Sequence, residues 1–208
     1  MKTDLALTVI LLGGLLFSCS ELSRRERQEC FDAFFAGSVD CGAKYLDTSG
    51  EPTLQTDALR FDLNGDQETD LTFQPSLAAS PYRDWETFPQ TTFYLGVKVI
   101  PGSGCEICVN EEGLPDTLSY GQAFSSCENW DCSGTDYRLS YYESIAEFDE
   151  ITGPGGRIVT EGLFYNVQDK YLLCRVVDQA DTTLAWFCIS CSETGYVRIG
   201  GYACISSY

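Results

Sequence analysis

The sequence predicts an all-β protein, an antiparallel sandwich or barrel preceded by a short helical tether and cross-linked by disulfides. Three observations carry this. From about residue 53 onward, short runs rich in Tyr, Val, Ile, Phe and Thr recur, as a pleated, half-buried surface prefers. Turn chemistry separates them at Pro101-Gly102-Ser103-Gly104, Gly153-Pro154-Gly155-Gly156 and Ser192-Glu193-Thr194-Gly195. The connections are too short for crossover helices, which leaves hairpins. Aromatic residues at 13% and apolar residues at 44% supply enough hydrophobic mass for a folded core.

The chain divides into residues 1–18, 19–52 and 53–208. Lys2 opens an uncharged run from Leu5 to Leu16 that fits the apolar centre of an export signal. Twelve helical residues rise about 18 Å, short of the ~30 Å hydrocarbon thickness of a bilayer, so the run does not span one. Leu16-Phe17-Ser18-Cys19 resembles the lipobox of bacterial lipoproteins. That resemblance implies cleavage before Cys19, a lipid on its thiol, and attachment to the membrane in the bacterial envelope. Ser20 stands where an Asp would direct inner-membrane retention in enteric-type sorting, which favours the outer membrane. Ser20 to Gln28 reads as a polar tether. Residues 26–36 read as a short helix, because Phe31, Phe34 and Phe35 share one side at helical periodicity. Residues 42–52 read as a loop.

Within 53–208 the expected strands are 58–63, 70–74, 92–100, 105–109, 117–124, 137–142, 157–167, 170–177, 183–191 and 196–205. No fixed-period repeat or low-complexity linker divides this region, so it reads as one domain. Removing the first 18 of 208 residues leaves 190, enough for a sizeable core.

Charge and residue usage exclude several function classes. With 31 Asp+Glu against 13 Lys+Arg, the formal charge of -18 repels phosphate backbones and anionic headgroups. Nucleic acid is therefore excluded as a partner, and membrane attachment falls to the lipid. Histidine is absent, which removes Ser-His-Asp triads, Cys-His dyads and His-ligated zinc. Catalysis would have to run on carboxylates, Lys, Tyr or a bound metal.

Eleven cysteines are present, and setting Cys19 aside leaves an even ten. In an oxidising compartment Cys30, Cys41, Cys105, Cys108, Cys127, Cys132, Cys174, Cys188, Cys191 and Cys204 read as up to five disulfides of open connectivity. Two Cys-x-x-Cys motifs, Cys105–Cys108 and Cys188–Cys191, leave a thiol-disulfide oxidoreductase open as one alternative. Neither precedes a convincing helix, whose N-terminus would activate a thiolate. Cys188 and Cys191 are three apart in a strand-like run, which turns them to opposite faces.

The sharpest motif is Asp62-Leu63-Asn64-Gly65-Asp66-Gln67-Glu68-Thr69-Asp70. Oxygen-bearing residues at alternate positions let a curling backbone aim several ligands at one hard cation, which takes 6–8 oxygens at about 2.3–2.6 Å. Asp62, Asn64, Asp66, Glu68 and Asp70 are thus the candidate metal ligands, with calcium the candidate ion in a structural role. The stretch resembles the Asp-rich calcium loops of dockerin, thrombospondin-type and integrin-like repeat proteins. It departs from them at Gln67, where the pattern has Gly, and at Phe73, where an EF-hand closes with Glu. The competing reading is a solvated acidic hairpin turn, which Asn64-Gly65 favours.

Trp85, Trp130 and Trp186, with 12 Tyr, offer a sugar-stacking platform or simple packing. A carboxylate-dependent glycan hydrolase needs no histidine, but nothing singles out a pair from Glu143, Glu147, Asp149 and Glu150. The segments Lys170 to Cys174, Thr183 to Phe187 and Tyr196 to Cys204 resemble the closing strands of uncharacterised exported bacterial proteins with an upstream Asp-rich loop. Ala185 stands where that pattern has Gly. The resemblance implies a β-rich envelope protein and no catalytic residue. The sequence thus points to a lipid-anchored, calcium-stabilised binding or structural module, with a glycan or an envelope protein as its ligand.

Overall fold

The computed structural model describes residues 24–40, 42–47, 57–78, 90–133, 136–149, 153–179, 181–193 and 196–207. The first 23 residues, Cys41, Trp85 and Glu150 lie outside these, and with them the lipobox and Cys19. Among the described residues no helix is long and apolar enough to cross a membrane.

Among the described residues eleven strands form two antiparallel sheets, as the sequence predicts. The five-stranded sheet has the order β2 (Leu59–Phe61), β3 (Leu71–Ala78), β4 (Gln90–Pro101), β7 (Tyr137–Asp149) and β8 (Gly153–Glu161). The six-stranded sheet runs β1 (Lys44–Asp47), β11 (Val197–Ser206), β10 (Asp181–Cys191), β9 (Val167–Asp178), β5 (Cys105–Val109) and β6 (Asn129–Asp131). Helix α1 (Arg24–Asp32) precedes them.

The sheets pack face to face, because the inward residues of their central strands are apolar and must leave water. Phe61, Leu71, Phe73, Val97, Val99 and Leu139 come from one sheet. Ile107, Leu172, Ala185, Phe187, Ile189 and Val197 meet them from the other, and all are buried. At the centre, Phe187 is stacked on Tyr202 with ring centroids 5.2 Å apart and meets Phe61 edge-on at 4.8 Å.

The six-stranded sheet is apolar on both faces. Its outer face carries Cys108, Tyr171, Leu173, Leu184, Trp186, Ala203 and Ile205, which form a second buried cluster with Phe34, Ala36, Leu118 and Phe124. The residues just after α1 and the loop 114–127 therefore cover this sheet as a third layer. The Cys108–Cys127 disulfide ties the loop to the sheet, and isolated bridges join Phe35 to Ala123 and Leu118 to Tyr171.

Four local expectations are corrected. Residues 117–124 do not form a strand: Leu118 and Phe124 point down into the second cluster, and the segment ends in a 3-10 turn at Phe124–Ser126. Gly153-Pro154-Gly155-Gly156 is not a turn but the start of β8, which among the described residues pairs with β7 alone and so tolerates a proline without its N–H. The expected loop at 42–52 contains β1, whose four residues are all exposed and give no burial pattern to read. The helix spans 24–32 rather than 26–36, because Phe34 and Ala36 leave it to enter the second cluster.

Candidate functional site

The acidic segment connects β2 to β3 and is held by its own side chains. Asp62 accepts the amide hydrogens of Gly65 at 2.6 Å and Gln67 at 2.9 Å. Asn64 accepts from the Asp66 amide at 3.1 Å, and Asp66 from the Glu68 amide at 2.7 Å. Each short polar side chain thus bonds the backbone two or more residues on, the mechanism that makes Asp and Asn turn residues. Gln67 takes φ +74°, a left-handed conformation at the position where the calcium-loop pattern has Gly.

Asp70 behaves differently. It is 3% exposed, and its carboxylate reaches back under the loop to accept the Leu63 amide at 2.7 Å, with the Asn64 amide at 3.4 Å. Burial pushes its pKa above the ordinary carboxylate value. The two amides oppose that shift, while the nearby Asp66 and Asp62 charges add to it. Among the described residues no three acidic or thiol side chains converge on one point. Asp62, Asn64, Asp66 and Glu68 line the exposed loop, and Asp70 anchors it to the core.

The cysteines fall into distinct environments. Cys108 and Cys127 are bonded, and Cys30 is also disulfide-bonded. Cys105, Cys132, Cys174, Cys188, Cys191 and Cys204 are thiols in this structure. Each Cys-x-x-Cys motif straddles the six-stranded sheet: Cys105 and Cys191 face the inter-sheet core, Cys108 and Cys188 the outer face. Strand alternation therefore keeps the two sulfurs of each motif on opposite sides. This geometry gives no support to a redox pair within either motif.

Trp130 and Trp186 are packing residues. Trp186 is buried and donates its indole N–H to the Ser38 carbonyl at 2.8 Å. Trp130 lies near-parallel to Phe124 and under the Arg175 guanidinium, 4.5 Å from its ring centre. Of the carboxylates weighed for hydrolysis, Glu143 accepts the Tyr141 hydroxyl at 2.8 Å on β7. Glu147 and Asp149 belong to the same strand.

Sequence reasoning missed a groove on the outer face of the six-stranded sheet, at the end the third layer leaves open. Two β-bulges build it. Between Ile189 and Cys191, Ser190 of β10 lies opposite two residues of β9, Gln168 and Asp169. Beside Cys188, β11 carries one extra residue, Gly200, between Ile199 and Gly201. Bulges re-aim side chains. Here Asp169 takes φ +47°, with its own amide and its carboxylate both bonded to the Ser190 hydroxyl at 3.1 Å.

Two adjoining depressions of about 390 and 280 Å³ share Asp169 and Arg198 on their walls. Tyr45, half-exposed on β1, leans over Trp186 at 6.0 Å. Tyr171 meets Trp186 edge-on at 5.5 Å. The Cys188 thiol lies at the floor, 3.9 Å from the Asp169 carboxylate. Burial first, and the Asp169 charge second, hold Cys188 protonated. Burial likewise pushes the Tyr171 hydroxyl up to about 12, with Cys188 adding to the shift. The groove therefore presents the protonated Cys188 thiol and Tyr171 phenol beside the Asp169 and Arg198 side chains. That combination can bind, and it contains no activated nucleophile.

Comparison with protein-family models, with curated proteins and with solved structures gave no match.

Proposed function

We propose that this chain is a lipid-anchored binding module of the bacterial envelope that takes a neutral saccharide in the groove between Tyr45, Tyr171, Asp169 and Arg198. The observation that carries the reading is this convergence of aromatic faces, a carboxylate and a guanidinium in one concave site. A sugar hydroxyl both donates and accepts, so it pairs with Asp169 and Arg198 together, while the C–H face of the ring packs on tyrosine. The acidic surface disfavours anionic sugars. The anchor rests on the Cys19 motif alone.

Titration calorimetry with a panel of neutral oligosaccharides tests the groove. At least one ligand is expected to bind, with Arg198→Ala weakening it at least ~10-fold, the cost of one charge-assisted hydrogen bond at about 1.5–3 kcal/mol. Tyr45→Ala weakens it further, and both variants keep the wild-type melt. Binding untouched by either change places the ligand elsewhere.

Calcium on the Asp62–Asp70 loop is the stabilising part of the same proposal. The alternate oxygens of Asp62, Asn64, Asp66 and Glu68 and the left-handed Gln67 support it, whereas Asp70 is committed to the Leu63 amide. Melting in millimolar calcium is expected to exceed melting in EDTA, and Asp66→Ala to erase the difference. A ligand at 100 times its dissociation constant adds ~2.7 kcal/mol to the native state. Identical melts would leave the loop a hydrogen-bonded turn.

A further inference from the structure

We propose that Cys105 and Cys174 become joined by a buried disulfide as the chain folds in an oxidising compartment, riveting β5 to β9. The seam between these strands is short. Only Cys105↔Val176, Glu106↔Arg175 and Ile107↔Cys174 are in register, and β5 brings the small strand β6 with it. On the outer face the Glu106–Arg175 ion pair, with Arg175 lying over Trp130, closes this seam.

On the inner face the two cysteines take diagonal positions. They are 2% and 0% exposed, and the neighbouring Cys105 thiol, followed by burial, pushes the Cys174 thiol up. Cys105 is the first residue of its strand. The third nearby thiol, Cys204, is out of reach. It sits two strands from Cys174, with Ala185 between them in register. Two strand spacings come to about 9.5 Å, beyond the ~4.4–6.8 Å Cα separation that a disulfide spans.

The chemistry is thiol–disulfide exchange with a disulfide-bearing oxidant. One cysteine thiolate attacks the oxidant and releases one carrier thiolate. The other then displaces the second carrier thiol from the mixed disulfide. The two protein thiols give up two electrons and two protons, and the oxidant leaves as two thiols. Both sulfurs are shut away in the folded protein, so exchange precedes closure of the sheets. The finished bond then resists reductant until the protein unfolds.

The test uses full-length protein exported to an oxidising compartment, denatured with an alkylating agent and no reductant, and digested with trypsin and a glutamate-specific protease. Cleavage after Glu106 separates Cys105 from Cys108. The expected product is residues 99–106 linked to residues 171–175, lost on reduction. Cys105→Ser should leave Cys174 fully alkylated. Alkylation of both cysteines in the unreduced wild type, or a Cys174–Cys204 link, overturns the proposal.

Discussion

Phe187→Ala is expected to destabilise the protein by ~3–5 kcal/mol, the range for deleting a buried aromatic ring. The ring is fully buried on a central strand of the six-stranded sheet. It stacks on Tyr202 beside it, and it crosses to the other sheet to meet Phe61 at 4.8 Å and Phe73 at 5.2 Å. Truncation therefore opens a cavity between the sheets and removes three ring contacts, each worth roughly 0.5–1.5 kcal/mol beyond the area it buries. A domain with only about 5–15 kcal/mol of net stability would be left near unfolding. Urea unfolding of Phe187→Ala, with Phe187→Leu as the milder variant, measures the effect. A loss under ~1 kcal/mol for Phe187→Ala would mean that this cluster does not bind the two sheets together.

That cluster was legible in the alternation of Thr183 to Cys191, where Ala185, Phe187 and Ile189 fall on one side of the strand. Leu184, Trp186 and Cys188 fall on the other and are equally apolar. An antiparallel strand with two apolar faces requires a covering layer on each. The sequence shows that requirement without showing what meets it. The cover comes from Phe34, Ala36, Leu118 and Phe124, drawn from a helix exit and from a segment whose composition reads as a strand. Local pattern reports that a residue will be buried; which surface buries it is a tertiary decision.

The groove was illegible for a related reason. A bulge belongs to the register between two strands, and neither β9 nor β10 alone announces that Ser190 will face both Gln168 and Asp169. Gly200-Gly201 was the one local sign, since glycine within a strand marks bulges and close backbone approach. The tryptophans suggested an aromatic platform, yet Trp186 is buried with its N–H satisfied, and the exposed rings on the groove walls are Tyr45 and Tyr196. Tyrosine carries the polar tip that lets an aromatic residue line a wet surface.

The acidic loop divides the same way, and Asp70 supplies the sharpest test of its architecture. The alternate oxygens are plain in sequence, but the inward turn of Asp70 follows from packing Leu63 into the core, which buries the Leu63 amide and obliges it to find an acceptor. Asp70→Ala orphans that amide and is expected to cost about 1–3 kcal/mol, measured by urea unfolding in EDTA so that bound cations do not contribute. Asp70→Asn keeps an acceptor oxygen and should cost less.

The pH dependence runs opposite to that of most carboxylates. Because burial raises the folded-state pKa of Asp70 above its ordinary value, the native state binds the proton more tightly than the unfolded chain. In the window from 3.8 up to the raised value, stability therefore falls as pH rises and is regained on acidification. The other acidic groups titrate in both proteins, so the informative quantity is wild type minus Asp70→Asn. That difference should move in favour of wild type as pH falls from 7 towards 4. If it is flat with pH, or if Asp70→Ala unfolds at the wild-type urea concentration, then Asp70 is not the buried anchor of this loop.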